Sequence, residues 1–324
     1  MKTKSLALFS CILAALASLC LGGLGLSPAE IWDALRTGPA TTAGRIFWYV
    51  RLPRTAACQL AGAALSVAGC VIQNVLANPL ASPNIIGVNA GAALAVTVCC
   101  ATGALSGWCI AGAAFGGAFA AVLLVSLAGR LAGGSRTSTI LAGVAVNAFL
   151  GAAGDAVTNL IPDAAILSGD FRVGGFASVS HTRLIPAGIL ILLALGAVFL
   201  LSNELEILSL GTDTARSLGL NASGMRTGFL ALSALLCGAA VSFAGLLGFV
   251  GLIIPHAVRR FSGTECPRLL PLCALWGGAF VTICDLFSRL LFRPHELPVG
   301  ILLSALGGPF FLYLLAKRGG NHNA

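Results

Sequence analysis

Long apolar runs recur along almost the whole chain, and they restrict its fold more than any other feature of the sequence. A helix needs roughly 20 apolar residues to cross a hydrocarbon core of about 30 Å, where its backbone must satisfy its own hydrogen bonds. Composition points the same way, because 57% of the 324 residues are hydrophobic and only 9% are charged. The predicted fold class is therefore all-α, a polytopic membrane protein.

The apolar runs predict about ten transmembrane helices in a single domain, residues 1–324. The predicted spans lie near residues 5–26, 55–76, 85–104, 108–129, 139–161, 184–202, 226–246, 247–260, 270–291 and 298–316, the eighth being short. Ten spans place both termini on one side of the membrane, and a weak excess of basic residues predicts that this side is cytoplasmic.

Two segments of the chain resemble each other. GAALSVAG (62–69) and GAAVSFAG (238–245) agree at six of eight positions with an offset of 176, which also aligns Pro79 with Pro255 and Gly87 with Gly263. Transporters are commonly built from repeats of this kind. We therefore predict two repeat halves, spans two to five and seven to ten, covering roughly residues 50–161 and 225–316.

Small residues are abundant, and most of the 41 glycines are expected to allow close packing of helices. Gly103-x-x-x-Gly107 and Gly112-x-x-x-Gly116 are examples of the expected spacing. The eleven cysteines include no C-x-x-C pair and lie mostly in apolar runs, so no metal site is predicted.

The polar segment NPLASP (78–83) interrupts two apolar runs. Asparagine and serine can satisfy exposed backbone groups, and proline suits helix breaks and helix starts. We predict that NPLASP ends one helix and starts the next at the cytoplasmic face.

The sequence contains no motif for ATP hydrolysis or for another catalytic activity. A P-loop requires G-x-x-x-x-G-K-[ST], whereas the three lysines, Lys2, Lys4 and Lys317, do not follow glycine. The chain is predicted to have no catalytic residue and no nucleic-acid partner. Two functions remain compatible with these residues. One is an ion-coupled carrier, for which Asp155 and Asp285 are the candidate acids, and the other is a receptor-like subunit that transports nothing.

Seven motifs resemble, in this order, the permease subunits of ABC importers for iron-siderophores, haem and cobalamin. The resemblance extends from about residue 45 to 316, and it comprises RLPR (51–54), GAALSVAGCVIQNVLANPLASPNIIGVNAGA (62–92), LAGVAV (141–146), LGTDTARSLGL (210–220), GFVGLIIPHAVRR (248–260), DLFSR (285–289) and ELPVGILLSALGGPFFLYLL (296–315).

The resemblance implies a type II ABC importer permease with ten helices in a bacterial inner membrane. Such subunits form homodimers or pair with a sister permease, bind ATPase subunits that use ATP and Mg, and receive cargo from an extracytoplasmic binding protein. The chain itself would bind no cofactor or metal. The implied function is import of a metal chelate, first of all a ferric siderophore, by alternating access; haem or cobalamin cargo stays an alternative.

The resemblance also implies three groups of functional residues. The arginines expected to meet acidic residues of the binding protein are Arg51, Arg54 and Arg289. The segment 211–221 resembles the cytoplasmic helix that contacts the ATPase, with Thr212 or Asp213 expected to cap it, Gly219 to end it, and contacts expected from Thr212, Asp213, Ala215, Arg216, Leu218 and Gly219. The residues expected at the gate and along the path are Ser135, Thr137, Ser138, Thr139 and Asn147.

One motif departs from the family. FRVGGFAS (171–178) resembles its W-x-x-G-S signature but has Arg172 and Gly175 in place of tryptophan and serine. We therefore expect the outer vestibule to differ from that of other members.

Overall fold

A computed structural model describes residues 2–22, 27–291 and 295–320, and these residues form helices joined by short connections, with no strand among them. The helices are α1 (Lys2–Cys20), α2 (Pro28–Thr37), α3 (Thr42–Ile46), α4 (Leu52–Val75), α5 (Val88–Ala101), α6 (Gly107–Leu131), α7 (Arg136–Leu160), α8 (Pro162–Val173), α9 (His181–Leu200), α10 (Ser202–Ser209), α11 (Thr212–Ser217), α12 (Ala222–Ala244), α13 (Val250–Ser262), α14 (Cys266–Leu290) and α15 (Val299–Gly320).

Ten of these helices lie at the positions of the ten predicted spans. By length and hydropathy, seven stretches of the described chain can cross a membrane, namely α1, the continuous stretch from α3 to α4, α6, α7, α9, α12 and α14. The helices α5 and α15 are shorter apolar helices, and α13, the predicted short span, has 13 residues. The predicted first span reaches residue 26, so its last four residues, 23–26, lie outside the described residues. The prediction of an all-α membrane protein is confirmed.

The sequence analysis missed several short helices between the spans, among them α2, α8 and α10. The helix α2 had a readable signal in Ser-Pro-Ala-Glu (27–30), which forms a capping box. The Ser27 hydroxyl accepts a hydrogen bond from the Glu30 amide, and the Glu30 carboxylate accepts one from the Ser27 amide. The bonds from the Ser27 amide and hydroxyl lower the pKa of Glu30.

The helix α4 is the centre of the bundle and is buried along most of its length against α12, α13 and α14. Two glycines make this packing possible. A Cβ on Gly62 would lie 2.1 Å from the carbonyl oxygen of Gly277, and one on Gly69 would lie 2.0 Å from that of Gly251. Such distances require that backbones touch without side chains between them.

The two glycine pairs chosen from the sequence do not form close helix contacts within the described chain, and their packing role stays a prediction. A Cβ on Gly103, Gly112 or Gly116 would meet nothing within 4 Å, and the three atoms nearest to one on Gly107 belong to the Arg183 side chain. Their spacing resembles a packing motif, but these glycines do not face a neighbouring backbone within the described chain.

The NPLASP segment belongs to a longer irregular stretch, residues 76–87. The helix α4 ends at Val75 as predicted, but α5 begins only at Val88, so the prediction that NPLASP starts the next helix was wrong. The Asn78 side chain accepts a hydrogen bond from the Leu80 amide, as expected. Non-helical backbone within a membrane protein must be shielded by protein, and Ala81 and Ile86 are fully buried.

The two proposed repeat segments have different local structures. Residues 62–69 lie inside α4, whereas residues 238–245 run to the end of α12, where Gly245 adopts a φ of 67°. Pro79 lies in the irregular stretch, whereas Pro255 lies within α13. The duplication of the two halves therefore stays a prediction.

Candidate functional site

A buried network of charged groups occupies one end of α4, the end predicted to face outward. Asp285 of α14 has no exposed surface, and its two carboxylate oxygens accept hydrogen bonds from the Arg54 guanidinium at 3.0–3.2 Å. The third guanidinium nitrogen of Arg54, Nη1, donates to Glu296 at 2.8 Å. Asp285 also pairs with Arg289 Nε at 3.1 Å, one helical turn further on.

The same network holds α1 against the bundle. Arg289 Nη2 donates to the Ser18 hydroxyl at 2.8 Å, and Ser18 also bonds to the Thr55 hydroxyl at 2.8 Å. Arg51 Nη1 donates to the carbonyl oxygens of Leu19 and Cys20 at 2.6 and 2.9 Å. Backbone carbonyls at the end of α1, which have no helical partner, are satisfied in this way.

The structure thus brings together the three arginines that the sequence singled out, but it buries them. Arg51 is 4% exposed, Arg54 8% and Arg289 4%, and each guanidinium is bound within the chain. Their expected role in receiving a binding protein stays a prediction. The sequence analysis missed their intramolecular role, although the i, i+4 spacing of Asp285 and Arg289 in DLFSR was a readable sign of an ion pair.

Part of this network reaches the surface at Glu296, whose side chain is 40% exposed. A cleft of about 190 Å³ lies beside Glu296 and Arg54 and is lined by Asp170 and by residues 174–178 and 297–299. The motif FRVGGFAS therefore contributes the wall of an outward cleft, and Gly174, with a φ of 77°, packs against the Leu246 carbonyl.

The helix α7 has a largely uncovered apolar face. Only 11% of its most apolar 18-residue stretch is buried within the chain, against 78% for the stretch that includes α4. Its exposed apolar side chains include Leu141, Val144, Phe149 and Leu160. An apolar face of this kind suits contact either with lipid or with a second subunit.

Polar side chains of α7 have two different environments. Asn147 donates from Nδ2 to the Asn84 and Ile85 carbonyl oxygens at 2.8 and 3.3 Å, so its amide supports the irregular stretch 76–87. Asp155 is exposed and lies 3.9 Å from Arg172. The path role expected for Asn147 stays a prediction, and its bond to the irregular stretch was not foreseen.

The expected gate residues surround the start of α7. The Ser135 hydroxyl caps the helix by accepting a hydrogen bond from the Ser138 amide at 2.9 Å. The Ser138 hydroxyl donates back to the Ala132 carbonyl at 2.7 Å. Thr139 is buried against Gly129, whereas Thr137 is exposed. The SRTST run is therefore a compact, hydroxyl-rich helix start.

The expected ATPase contact forms the short helix α11. The prediction of its cap was wrong, because the cap residue is Gly211 and no side chain caps it. Gly219 ends the helix as expected, with a φ of 80° and a hydrogen bond from its amide to the Arg216 carbonyl at 2.9 Å. Ala215 is fully buried, whereas Asp213, Arg216 and Leu218 are exposed. The helix and the residue that follows it thus present two charged side chains and one apolar side chain to the surface.

The described part of the chain contains no cluster of side chains that could bind a metal ion. No group of three or more histidine, cysteine, aspartate or glutamate side chains comes together there in a way that could hold a metal ion.

Comparison with known proteins gives one family. The profile of the FecCD transport family matches residues 10–317. The hemin transport system permease protein HmuU of Yersinia pestis is 34% identical over 313 residues, which cover 95% of this chain and 93% of that protein. The Fe(3+) dicitrate transport system permease protein FecC of Escherichia coli (strain K12) is 35% identical over 318 residues, which cover 93% and 92% of the two chains.

A solved structure shares the fold over almost the whole length. It is described as an inward-facing conformation of a metal-chelate type ABC transporter, with a TM-score of 0.87 and 28% sequence identity. The similarity covers 98% of this chain and 99% of the other.

Proposed function

The chain belongs to the FecCD transport family of ABC importer permeases, and on this premise we propose that it carries an iron chelate into the cytoplasm by alternating access. In such a cycle, ATP and cargo act through their different affinities for the outward-open and inward-open states. The chain would supply the path and a partner ATPase the energy.

The observation that carries this proposal is the exposed face of α11. Within an apolar protein, a short polar helix with Asp213, Arg216 and Leu218 turned outward on the predicted cytoplasmic side fits a partner surface. Interfaces of this kind combine an apolar anchor with a polar rim. Leu218 is 61% exposed and is the natural anchor. We therefore propose Thr212, Asp213, Ala215, Arg216, Leu218 and Gly219 as the ATPase contact.

A second copy or a sister permease would cover α7. The exposed apolar face of that helix supports a subunit interface, and the hydroxyl groups of Ser135 and Thr137 would then lie near the axis of the dimer. Small hydroxyl groups can line a narrow polar passage without holding a bulky chelate tightly. The gate and path residues of the proposal are Ser135, Thr137, Ser138, Thr139 and Asn147.

The cargo class follows from the relatives as a group. One is named for hemin and another for Fe(3+) dicitrate, and in both cargoes an organic ligand surrounds iron. We propose a ferric chelate of the siderophore class, delivered by an extracytoplasmic binding protein. Arg51, Arg54 and Arg289 remain the proposed docking residues, which requires that binding loosen the buried network or that Arg54 act through Glu296.

The ion-coupled alternative has less support. A coupling acid must change its protonation or ion contacts during transport. Asp285 is instead held between two arginines, and Asp155 lies near Arg172 at an exposed position.

Co-purification from native membranes tests the proposal. Wild-type protein is expected to carry an ATPase subunit, and the double charge reversal Asp213→Lys with Arg216→Glu is expected to lose it. The matched control reverses one exposed acid and one exposed arginine elsewhere, Asp33→Lys with Arg45→Glu, and should retain the ATPase. Recovery of the wild-type chain without any ATPase would overturn the proposal.

A further inference from the structure

One side chain joins the expected ATPase contact to the expected gate. Arg226, in the first turns of α12, donates from Nη1 to the Gly134 carbonyl oxygen at 2.6 Å. Its other terminal nitrogen, Nη2, donates to the Thr212 hydroxyl at 3.2 Å. Gly134 lies in the turn before α7, and Thr212 is the first residue of α11. The planar guanidinium therefore holds the two segments in a fixed relation.

The turn that Arg226 contacts contains two glycines with left-handed backbone. Gly133 and Gly134 have φ values of 99° and 66°, a region that glycine occupies without the strain of a side chain. Immediately after them, Ser135 caps α7 and begins the SRTST run. A displacement of the Gly134 carbonyl would therefore be passed directly to the start of α7.

Two neighbouring arginines connect the same regions. Arg136, the first residue of α7, donates from Nη2 to the Leu208 carbonyl of α10 at 3.2 Å. Arg130, near the end of α6, bonds to the Thr227 hydroxyl of α12. Three arginines thus connect residues 130–136 with residues 208–227.

These links are hydrogen bonds to neutral oxygens, so they are able to rearrange. Across the described residues, no carboxylate forms an ion pair with Arg136 or Arg226. The Nε atom of each is buried and has no hydrogen-bond partner within the described part of the chain. A buried donor that lacks a partner is unfavourable, so the observed arrangement is not the best possible one for either arginine. This pattern fits an element with two states better than a permanent brace.

We propose that Arg226 is a positioning residue that transmits movement of α11 to the gate at residues 135–139. The inference rests on the proposed function, because it requires an ATPase that moves α11. When α11 shifts, Thr212 moves with it, Arg226 follows, and the Gly134 carbonyl is released or pulled. The gate then opens or closes with the nucleotide state of the partner.

Accessibility of the gate in the purified complex with its ATPase tests this directly. Thr137→Cys serves as the reporter in a background where the two exposed cysteines, Cys20 and Cys109, are replaced by serine. Labelling by a polar maleimide is compared without nucleotide and with ATP and vanadate. We expect the labelling rate to differ at least about fivefold between the two states, which corresponds to about 1 kcal/mol of differential stability.

Arg226→Gln should remove this difference while the ATPase stays bound and continues to hydrolyse ATP. Arg226→Lys, which keeps the charge but lacks the fork of two terminal nitrogens, should restore it in part. The control Arg268→Gln removes a cytoplasmic arginine that pairs only with exposed Glu265 among described residues, and it should behave as wild type.

The outcomes separate the two proposals. A purely structural role of Arg226 would lower yield and ATPase binding together, which would overturn the inference. An unchanged nucleotide response in Arg226→Gln, with ATPase bound, would also overturn it and leave the proposed function intact. Wild-type protein that purifies without an ATPase would overturn the proposed function and, with it, this inference.

Discussion

Replacing Asp285 by asparagine is expected to destabilise the protein strongly. The substitution keeps the size of the side chain but removes the carboxylate that Arg54 and Arg289 share at 3.0–3.2 Å. Two guanidinium groups, only 8% and 4% exposed, would then lack their main counter-charge. Breaking a buried ion pair from one side costs about 3–5 kcal/mol. Because Glu296 still binds Arg54, we expect the free energy of unfolding to fall by about 3 kcal/mol, the lower end of this range.

Thermal unfolding of the purified protein measures this effect. With an unfolding entropy of about 2.1 cal/mol/K per residue over 324 residues, a loss of about 3 kcal/mol corresponds to a fall in Tm of roughly 4–5 °C. The control is Asp163→Asn, an exposed acid in the first turn of α8, for which we expect a change of at most about 2 °C. Equal effects of the two substitutions would refute the reasoning about burial.

A double-mutant cycle sharpens the same test. Arg54→Gln and Asp285→Asn remove the two partners of one contact, so their effects should fall short of additivity by more than about 1 kcal/mol. Additive effects would show that the pair is not coupled. The ion-coupled alternative makes a different prediction, that the chain alone transports without an ATPase and that neutralising Asp155 or Asp285 abolishes this transport.

Three further substitutions, one of them with a matched control, have expected outcomes that follow from local structure. Gly62→Ala should cost about 1–3 kcal/mol, because its Cβ would lie 2.1 Å from a carbonyl oxygen of α14, whereas Gly112→Ala meets nothing and should not destabilise, as unfolding by heat can check. Asn147→Leu should cost about 1–3 kcal/mol, because the Ile85 carbonyl loses the Asn147 amide and the Asn84 carbonyl keeps only the Gly87 amide at 3.3 Å. Protease protection of residues 76–87 should fall with stability. Leu218→Asp should leave Tm unchanged but weaken ATPase binding roughly tenfold, about 1.4 kcal/mol; equal binding would exclude an apolar anchor there.

Much of the fold could be predicted from the sequence, because bilayer thickness and backbone hydrogen bonding leave few solutions. Ten predicted spans have ten helices at their positions, including the short eighth one. Packing partners could not be read in the same way. Gly112 and Gly116 have the spacing of a packing motif, whereas the close contact of Gly62 with Gly277 joins residues far apart in the chain.

The candidate sites, too, could be predicted from the sequence only in part. The residue types and order of RLPR, the segment 211–221 and DLFSR were enough to point to the family. The burial of Arg54 could not be foreseen, because an arginine at a span end is ordinarily read as a surface residue. Its partner Asp285 lies 231 positions away. The link through Arg226 likewise depends on a turn, a short helix and a third helix meeting in space.

Uptake by reconstituted vesicles tests the central claim most directly. The chain would be purified with its partner subunits, placed in liposomes together with a source of the extracytoplasmic binding protein, and given a ferric siderophore, hemin or ferric citrate labelled with radioactive iron. The account predicts uptake that requires ATP on the cytoplasmic side and stops with vanadate. Uptake by the chain alone, driven by an ion gradient without ATP, would contradict it.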